Sequence, residues 1–365
     1  MSPCIFSEAD GYSTMRNFYH GTTVGRILTN QFWRTLGNDV LALNGYDSHP
    51  ETAKLKPWTE AMFCGTSFSL LNYEHDIFDL IKNSGKIHIH VSEVDHLSPG
   101  TVHLTDGTSF ASDAILANTG WKIVPPMKFL PEGIDAELGL PHTRIEKGFT
   151  TPVSPADLGN NHALLEKADK EILARFPRLK DQPVWNKNYV PVTHTKGISS
   201  DDKAGPDVPL TPYMLHHFIV PASERLLRTR DIAFTGMVSS FSNIINAHVQ
   251  GLWISAYFQG KLAMDPASAV GDADKMKELQ YQTVLHNRFG KWRYPVDWGN
   301  RNPNFIFDAV PYLDLLVRDL GCQVWRKGGK GFMAEIYDPY GPEDYKDLNE
   351  EWEAKFGNGA RTEEE

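Results

Sequence analysis

Apolar residues return at helical spacing in several separate stretches of the chain. At 24–36, Ile27, Leu28, Phe32, Trp33 and Leu36 fall on one face. A short helix is predicted at 77–83, closed by Asn83-Ser84-Gly85. At 160–176 the face is Ala163, Leu164, Ala168, Ile172, Leu173 and Phe176, stopped by Pro177. Residues 210–227 are predicted helical and carry His216 and His217 near Tyr213 and Glu224. Further helices are predicted at 272–289 and at 305–320, the last interrupted by Pro311. Period-two alternation at 86–91 (KIHIHV) predicts a half-buried strand. Residues 102–104 and 109–112 predict two strands joined by an Asp106-Gly107 hairpin turn.

The most informative run is 231–262. An apolar segment at 231–235 predicts a buried strand that leaves through Gly236. A polar turn at 239–242 is rich in helix-capping residues. Ile244, Ala247, Leu252, Ala256 and Phe258 then predict a helix over 243–262 with a stop at Gly260. Strand, glycine turn and helix in that order present backbone N–H groups to a ligand. The remainder is less regular. Residues 181–209 read as a surface loop, 290–303 as a turn-rich loop, and 343–365 as an acidic, frayed tail. The basic glycine turn at 326–330 lacks GxxxxGK[ST] and is no phosphate loop.

Composition narrows the classes. At 365 residues the chain suits one large or two ordinary domains. A net charge of −10 disfavours nucleic acid as a partner and leaves no polybasic membrane patch. Nine Trp, 13 Tyr and 19 Phe fit either a large aromatic core or a pocket for a lipophilic ligand. Cys4, Cys64 and Cys322 are odd in number and lack CxxC spacing, so neither a disulfide framework nor a zinc site is expected. A reducing, cytoplasmic location fits best. No apolar run reaches the roughly 18–20 residues that span a bilayer, and residues 1–12 do not read as a secretory signal. His88, His90, His96 and His103 read as solvent-facing strand histidines without a carboxylate or thiolate partner, so no metal is expected. His20, alone among aromatics, reads as a core or surface residue.

Two spaced elements carry a resemblance. Asp113-Ala-Ile-Leu-Ala-Asn-Thr-Gly-Trp121 follows the Asp-Gly hairpin, and Asp231-Ile-Ala-Phe-Thr-Gly236 leads much later into Gln250-Gly-Leu-Trp and Ala256-Tyr-Phe-Gln-Gly-Lys-Leu262. The tail adds Tyr312-Leu-Asp-Leu-Leu-Val-Arg-Asp-Leu-Gly321 and Asp338-Pro-Tyr-Gly-Pro-Glu-Asp-Tyr345. Together they resemble the flavin-containing monooxygenase family, most closely its fungal members of specialised metabolism. The resemblance implies an α/β fold with an incomplete pair of dinucleotide-binding domains and large helical and irregular insertions. Residues 1–122 would be a remnant of the nicotinamide-binding domain with a helical start, and 123–365 a remnant of the flavin-binding domain. It implies FAD and NADPH as cofactors and a lipophilic small molecule as substrate. Thr119, Gly120 and Trp121 would line the crossing between the two parts, while Thr235, Gly236 and Gln250, with Asn243 and Asn246, would approach the flavin.

The family's two GxGxxG turns have no counterpart here. GTTVGR, GNDVLALNG and GGKGFM fail on spacing or on strand context. The chain therefore reads as the C-terminal portion of such an enzyme, with sheet edges that a homodimer or another polypeptide would cover. Three functions follow. The first is a flavin monooxygenase. The second is a cofactor-free cyclase of Diels–Alder type, which needs shape, dryness and a few donors. Asn243, Asn246 and His248 are its candidate catalytic residues, with Thr119 and Trp121 as further donors. The third is a non-catalytic partner of a longer monooxygenase.

Overall fold

The computed structural model describes residues 1–64, 68, 76–118, 127–145, 154–183, 210–240, 242–296, 304–328 and 330–356. Helices dominate. α1 (Ser13–Gly21) and α2 (Thr23–Asn44) lie against each other, followed by the short α3 (Pro50–Ala53) and by α4 (Ile77–Asn83). An antiparallel meander, β1 (Val94–Ser98), β2 (Thr101–Leu104) and β3 (Ser109–Ala111), comes next. α5 (Asp135–Leu138) and α6 (His162–Arg175) lead to a hairpin of β4 (Leu215–His216) and β5 (Val220–Pro221). The chain then runs through α7 (Glu224–Thr229), α8 (Asn243–Phe258), α9 (Ala273–Arg293), α10 (Ala309–Asp319), α11 (Phe332–Tyr337) and α12 (Leu348–Phe356).

Local chemistry sets the helix ends. The Thr22 hydroxyl accepts from the Gly25 N–H to cap α2, which stops at Gly45 in the left-handed region. Gly25 sits so close to the backbone of Phe18 and Tyr19 that a Cβ there would overlap it, so glycine is what lets α1 and α2 touch. The Asp272 carboxylate caps α9 by accepting from Asp274 and Lys275. Pro311 falls in the first turn of α10, where no intrahelical N–H is needed. The helix therefore starts later than the pattern predicts and is not interrupted.

α9 is the central element. Met276, Leu279, Val284, Leu285 and Phe289 are buried, and it packs on α6 and on the β4–β5 hairpin. α8 and α10 pack against each other. The main core runs from Cys4, Ile5 and Phe6 through Trp253, Phe305 and Leu316 to Trp352. It thus draws on residues from both sides of position 122, which itself lies outside the described residues. A satellite core joins Leu138, Leu140, Tyr213, Leu215 and Leu226. The first residues are tied down from beneath: Ser2 Oγ accepts from the Arg293 guanidinium at 3.1 Å and donates to Asp308 at 3.3 Å.

The Asp-Gly meander forms as its turn chemistry predicts, with register Val102↔Phe110 and Leu97↔Val102. Three other expectations do not hold. Residues 86–91 form no strand, because the Ile89 N–H is taken by the Glu51 carboxylate at 2.7 Å rather than by a neighbouring strand. Residues 231–235 form no strand either; one backbone bond, Phe234 N–H to the Ile219 carbonyl at 2.8 Å, fastens the segment where a strand would have a ladder. Residues 210–227 are not one helix but the β4–β5 hairpin followed by α7. The expected frayed tail contains α12, anchored by buried Leu348 and Trp352, and its last residues lie outside the described ones. The structure is mixed α/β. Among the described residues both sheets are antiparallel, so no parallel βαβ unit stands among them.

Candidate functional site

The β4–β5 hairpin turns through His217 and Phe218, at φ +52° and +62°. Such turns favour glycine or asparagine, and holding other residues there costs about 1–3 kcal/mol each. The surroundings enforce it. Asn287 Nδ2 donates to the Leu215 carbonyl at 3.1 Å, and the Tyr312 hydroxyl donates to the His217 carbonyl at 3.0 Å. The Phe218 ring is fully buried against Phe305 and Tyr312. Upstream, the Met214 N–H reaches the Gly139 carbonyl at 2.7 Å, at a crossing too tight for any side chain on Gly139.

This strained turn delivers His217 to Asp319, at the end of α10. Nε2 of His217 lies 2.9 Å from Asp319 Oδ2, and Trp253 Nε1 donates to the same oxygen at 3.1 Å. Both members of the pair are buried. With Nε2 donating to the carboxylate, the other ring nitrogen, Nδ1, is left buried and without a partner. The His216 ring lies tilted by 35° against His217 with centroids 3.8 Å apart, and His216 bonds Thr283 Oγ1 through Nδ1 at 3.2 Å. His286 of α9 lies parallel to His217 at 5.9 Å, and its Nδ1 is likewise buried and unpartnered. Burial pushes the imidazoles of His216 and His286 well below their usual range, and the neighbouring His217 pushes the same way. Both are neutral at pH 7.

These histidines line a cavity of about 540 Å³. Ile5, Phe6 and Ala9 of the N-terminal segment form one wall, Leu279, Leu285 and His286 of α9 another, and Leu315, Arg318 and Asp319 of α10 a third. A volume of this size suits a small organic ligand. The described residues hold no group of three or more His, Cys, Asp or Glu able to bind a metal ion. None of their helices is long and apolar enough to cross a membrane.

A hydrogen-bonded relay connects the residues expected near flavin with this turn. Thr235 Oγ1 donates to Gln250 Oε1 at 2.9 Å, Gln250 Nε2 donates to the Tyr312 hydroxyl at 2.8 Å, and that hydroxyl donates to the His217 carbonyl. Burial raises the Tyr312 phenol, which keeps it a donor. Asn243 and Asn246 meet at Ser240. Asn243 Oδ1 accepts from the Ser240 N–H at 3.3 Å, while Asn246 Nδ2 donates to the Ser240 hydroxyl at 2.7 Å and leaves its own Oδ1 buried and unpartnered. His248 faces elsewhere, 3.1 Å from Asn349 of α12. Gly236 is an exposed turn at φ +82° with open space where a side chain would stand. None of these residues lines the His217 cavity. Thr119, Gly120 and Trp121 lie outside the described residues. His217, His286 and Asp319 form a cluster that sequence patterning does not collect. The adjacent His216-His217 pair is its only signal, because the partners come from distant helices.

A dinucleotide needs a glycine turn after a parallel strand, opening onto a helix N-terminus. The described sheets are antiparallel. Gly25, Gly139 and Gly159 do permit close approach, but each accepts another part of this chain: Phe18 and Tyr19, Met214, and Thr211 respectively. The described residues therefore do not fit the pyrophosphate of FAD or of NADPH.

The chain is nonetheless similar to fungal FAD-dependent monooxygenases. It is 27% identical over 369 residues to the FAD-dependent monooxygenase avaB of Aspergillus versicolor, across 94% of this chain and 47% of that protein. It is 27% identical to the FAD-dependent monooxygenase DEP4 of Alternaria brassicicola, across 96% of this chain and 54% of that one. Identity to the FAD-dependent monooxygenase resA of Aspergillus sclerotiorum is 28%, across 91% and 52%. The chain spans about half the length of the curated relatives it matches. No family model matches it. No solved structure matches it.

Proposed function

We propose that this chain is a tailoring enzyme of flavin-monooxygenase type that acts on a lipophilic small molecule of specialised metabolism. The observation that carries this reading is similarity to FAD-dependent monooxygenases along 94% of the chain. Absorption spectroscopy of the purified chain, mixed with FAD and then gel-filtered, tests it. Retained absorbance in the flavin bands supports an oxygenase. Its absence after FAD addition removes the oxygenase reading for this chain.

A second reading, a redox-neutral cyclase or isomerase on the same framework, is favoured by the His217–Asp319 pair in a largely apolar cavity. His217 Nδ1 has the position of a general base kept from bulk water, with Asp319 stabilising the imidazolium once a proton is taken. Returning that proton to another atom of the same substrate yields an isomer of unchanged mass. A product formed without NADPH and at unchanged mass supports this reading. A product that requires NADPH and gains an oxygen atom rejects it.

A further inference from the structure

Three buried nitrogens on residues that line the His217 cavity have no partner: His217 Nδ1, His286 Nδ1 and Arg318 Nε. Buried polar atoms without partners are rare in folded proteins, and three on the residues of one cavity wall mark that wall as having hydrogen-bonding capacity the protein itself does not use.

The charges around the cavity say which kind. Asp319 is held by His217 and Trp253. Asp265 is paired with Arg230 at 2.6 Å, Arg175 with Glu171, and Lys275 lies 3.5 Å from Asp272. Glu8 and Glu278 are exposed to solvent. Arg318 is different. Its Nη1 donates to the Glu8 carbonyl at 3.3 Å, and among the described residues no carboxylate pairs with it. One guanidinium without a counter-charge matches a single negative charge better than the double charge of a phosphate monoester. Beside it, neutral His286 can offer an N–H. The lining also carries the hydrocarbon of Phe6, Leu279, Leu285 and Leu315, with Ser268 and Gln282 among its uncharged polar residues.

We propose that this cavity binds a lipophilic carboxylic acid, its carboxylate on Arg318 and His286 and its hydrocarbon along Phe6, Leu279, Leu285 and Leu315. The assignment rests on the tailoring-enzyme reading only for the ligand's role as substrate; binding itself involves neither flavin nor turnover.

The experiment is calorimetric titration of the full chain with decanoate and with decan-1-ol at pH 7.5, below their aggregation limits. Decanoate is expected to bind at least about tenfold more tightly than the alcohol, because a charge-assisted hydrogen bond is lost with the carboxylate. Arg318→Gln is expected to weaken decanoate about tenfold or more and to leave decan-1-ol within about twofold, and Arg318→Lys to restore part of the loss. His286→Phe keeps an aromatic ring, removes the donor, and is expected to weaken decanoate about fivefold while leaving the alcohol within about twofold. It carries the test if Arg318→Gln does not fold. Equal binding of acid and alcohol overturns the proposal. So does binding of neither, or insensitivity of decanoate to both folded variants. The flavin experiment reads separately, so a chain that binds decanoate and no FAD loses the oxygenase reading and keeps this site.

Discussion

His217 is held by more constraints than any one bond supplies. Its backbone is left-handed, its carbonyl accepts from Tyr312, and its ring is fixed by Asp319. Asp319 also serves Trp253, so removing its carboxylate strands two buried donors at once. Asp319→Ala is expected to cost about 2–5 kcal/mol, about 1–3 for each of the two buried donors left without an acceptor. Urea denaturation reads this as a lowered midpoint at unchanged slope. A midpoint within error of the unaltered chain would show that the pair is not the anchor of the turn. The family resemblance singled out Thr235 and Gln250 as cofactor-side residues, and in the structure the two bond each other. It could not bring out Asp319, which reads along the chain as one polar position at the end of an amphipathic helix. Its role comes from a hairpin that meets it only in three dimensions.

Among elements, the existence of the long helices was legible: α6, α8 and α9 form within about four residues of the predicted spans, while α2 runs on to Asn44 beyond the predicted 36. Their faces were less so, since Ile27, Leu28 and Phe32 of α2 and Ile244 and Phe258 of α8, all placed on the apolar face by spacing, are exposed. The β4–β5 hairpin was not legible. From Tyr213 to Ala222 every residue is buried, so the segment carries no alternation to mark a strand. A continuous apolar run looks the same in a buried strand and in a buried helix. The segment at 231–235 failed for a different reason. It has strand-like residues but, beyond the single Phe234–Ile219 bond, no strand among the described residues pairs with it, and strand identity is a property of the pair. The contact of α1 with α2 gives a sharp test of element packing. Gly25→Ala forces a methyl group into the Phe18–Tyr19 backbone, which cannot yield as a side chain would. A loss of about 1–3 kcal/mol is expected, read as a fall in Tm by differential scanning calorimetry. An unchanged Tm would mean that the two helices can separate at no cost.

At the scale of the molecule, the buried imidazoles set how stability responds to pH. Unfolded, each histidine titrates near 6.5. In the folded chain burial holds His20 at about 4 and keeps His216 and His286 well below the usual range. Below pH ~6.5 the unfolded chain therefore binds protons that the folded chain refuses, and stability falls as pH falls. Each imidazole contributes up to about 1.4 kcal/mol per pH unit. Asp314 works in the opposite direction. Burial pushes its carboxyl up to about 8, so between its unfolded and folded values the folded chain holds the extra proton and stability falls as pH rises. Three imidazoles outweigh one carboxyl on the acid side, and the carboxyl prevails on the other. Urea midpoints are expected to peak near pH 6.5 and to drop at both pH 5 and pH 8. A midpoint that climbs steadily from 5 to 8 would rule out the Asp314 contribution.

The wall built by Ile5, Phe6 and Ala9 bears on how the protein can be handled. Those residues belong to a short segment that hangs from Arg293 and Asp308 through Ser2. Trimming residues 1–9 would remove that wall of the cavity. Preparations with and without those residues would then differ in ligand binding while sharing the same helical content, and binding is to be assayed with residues 1–9 in place.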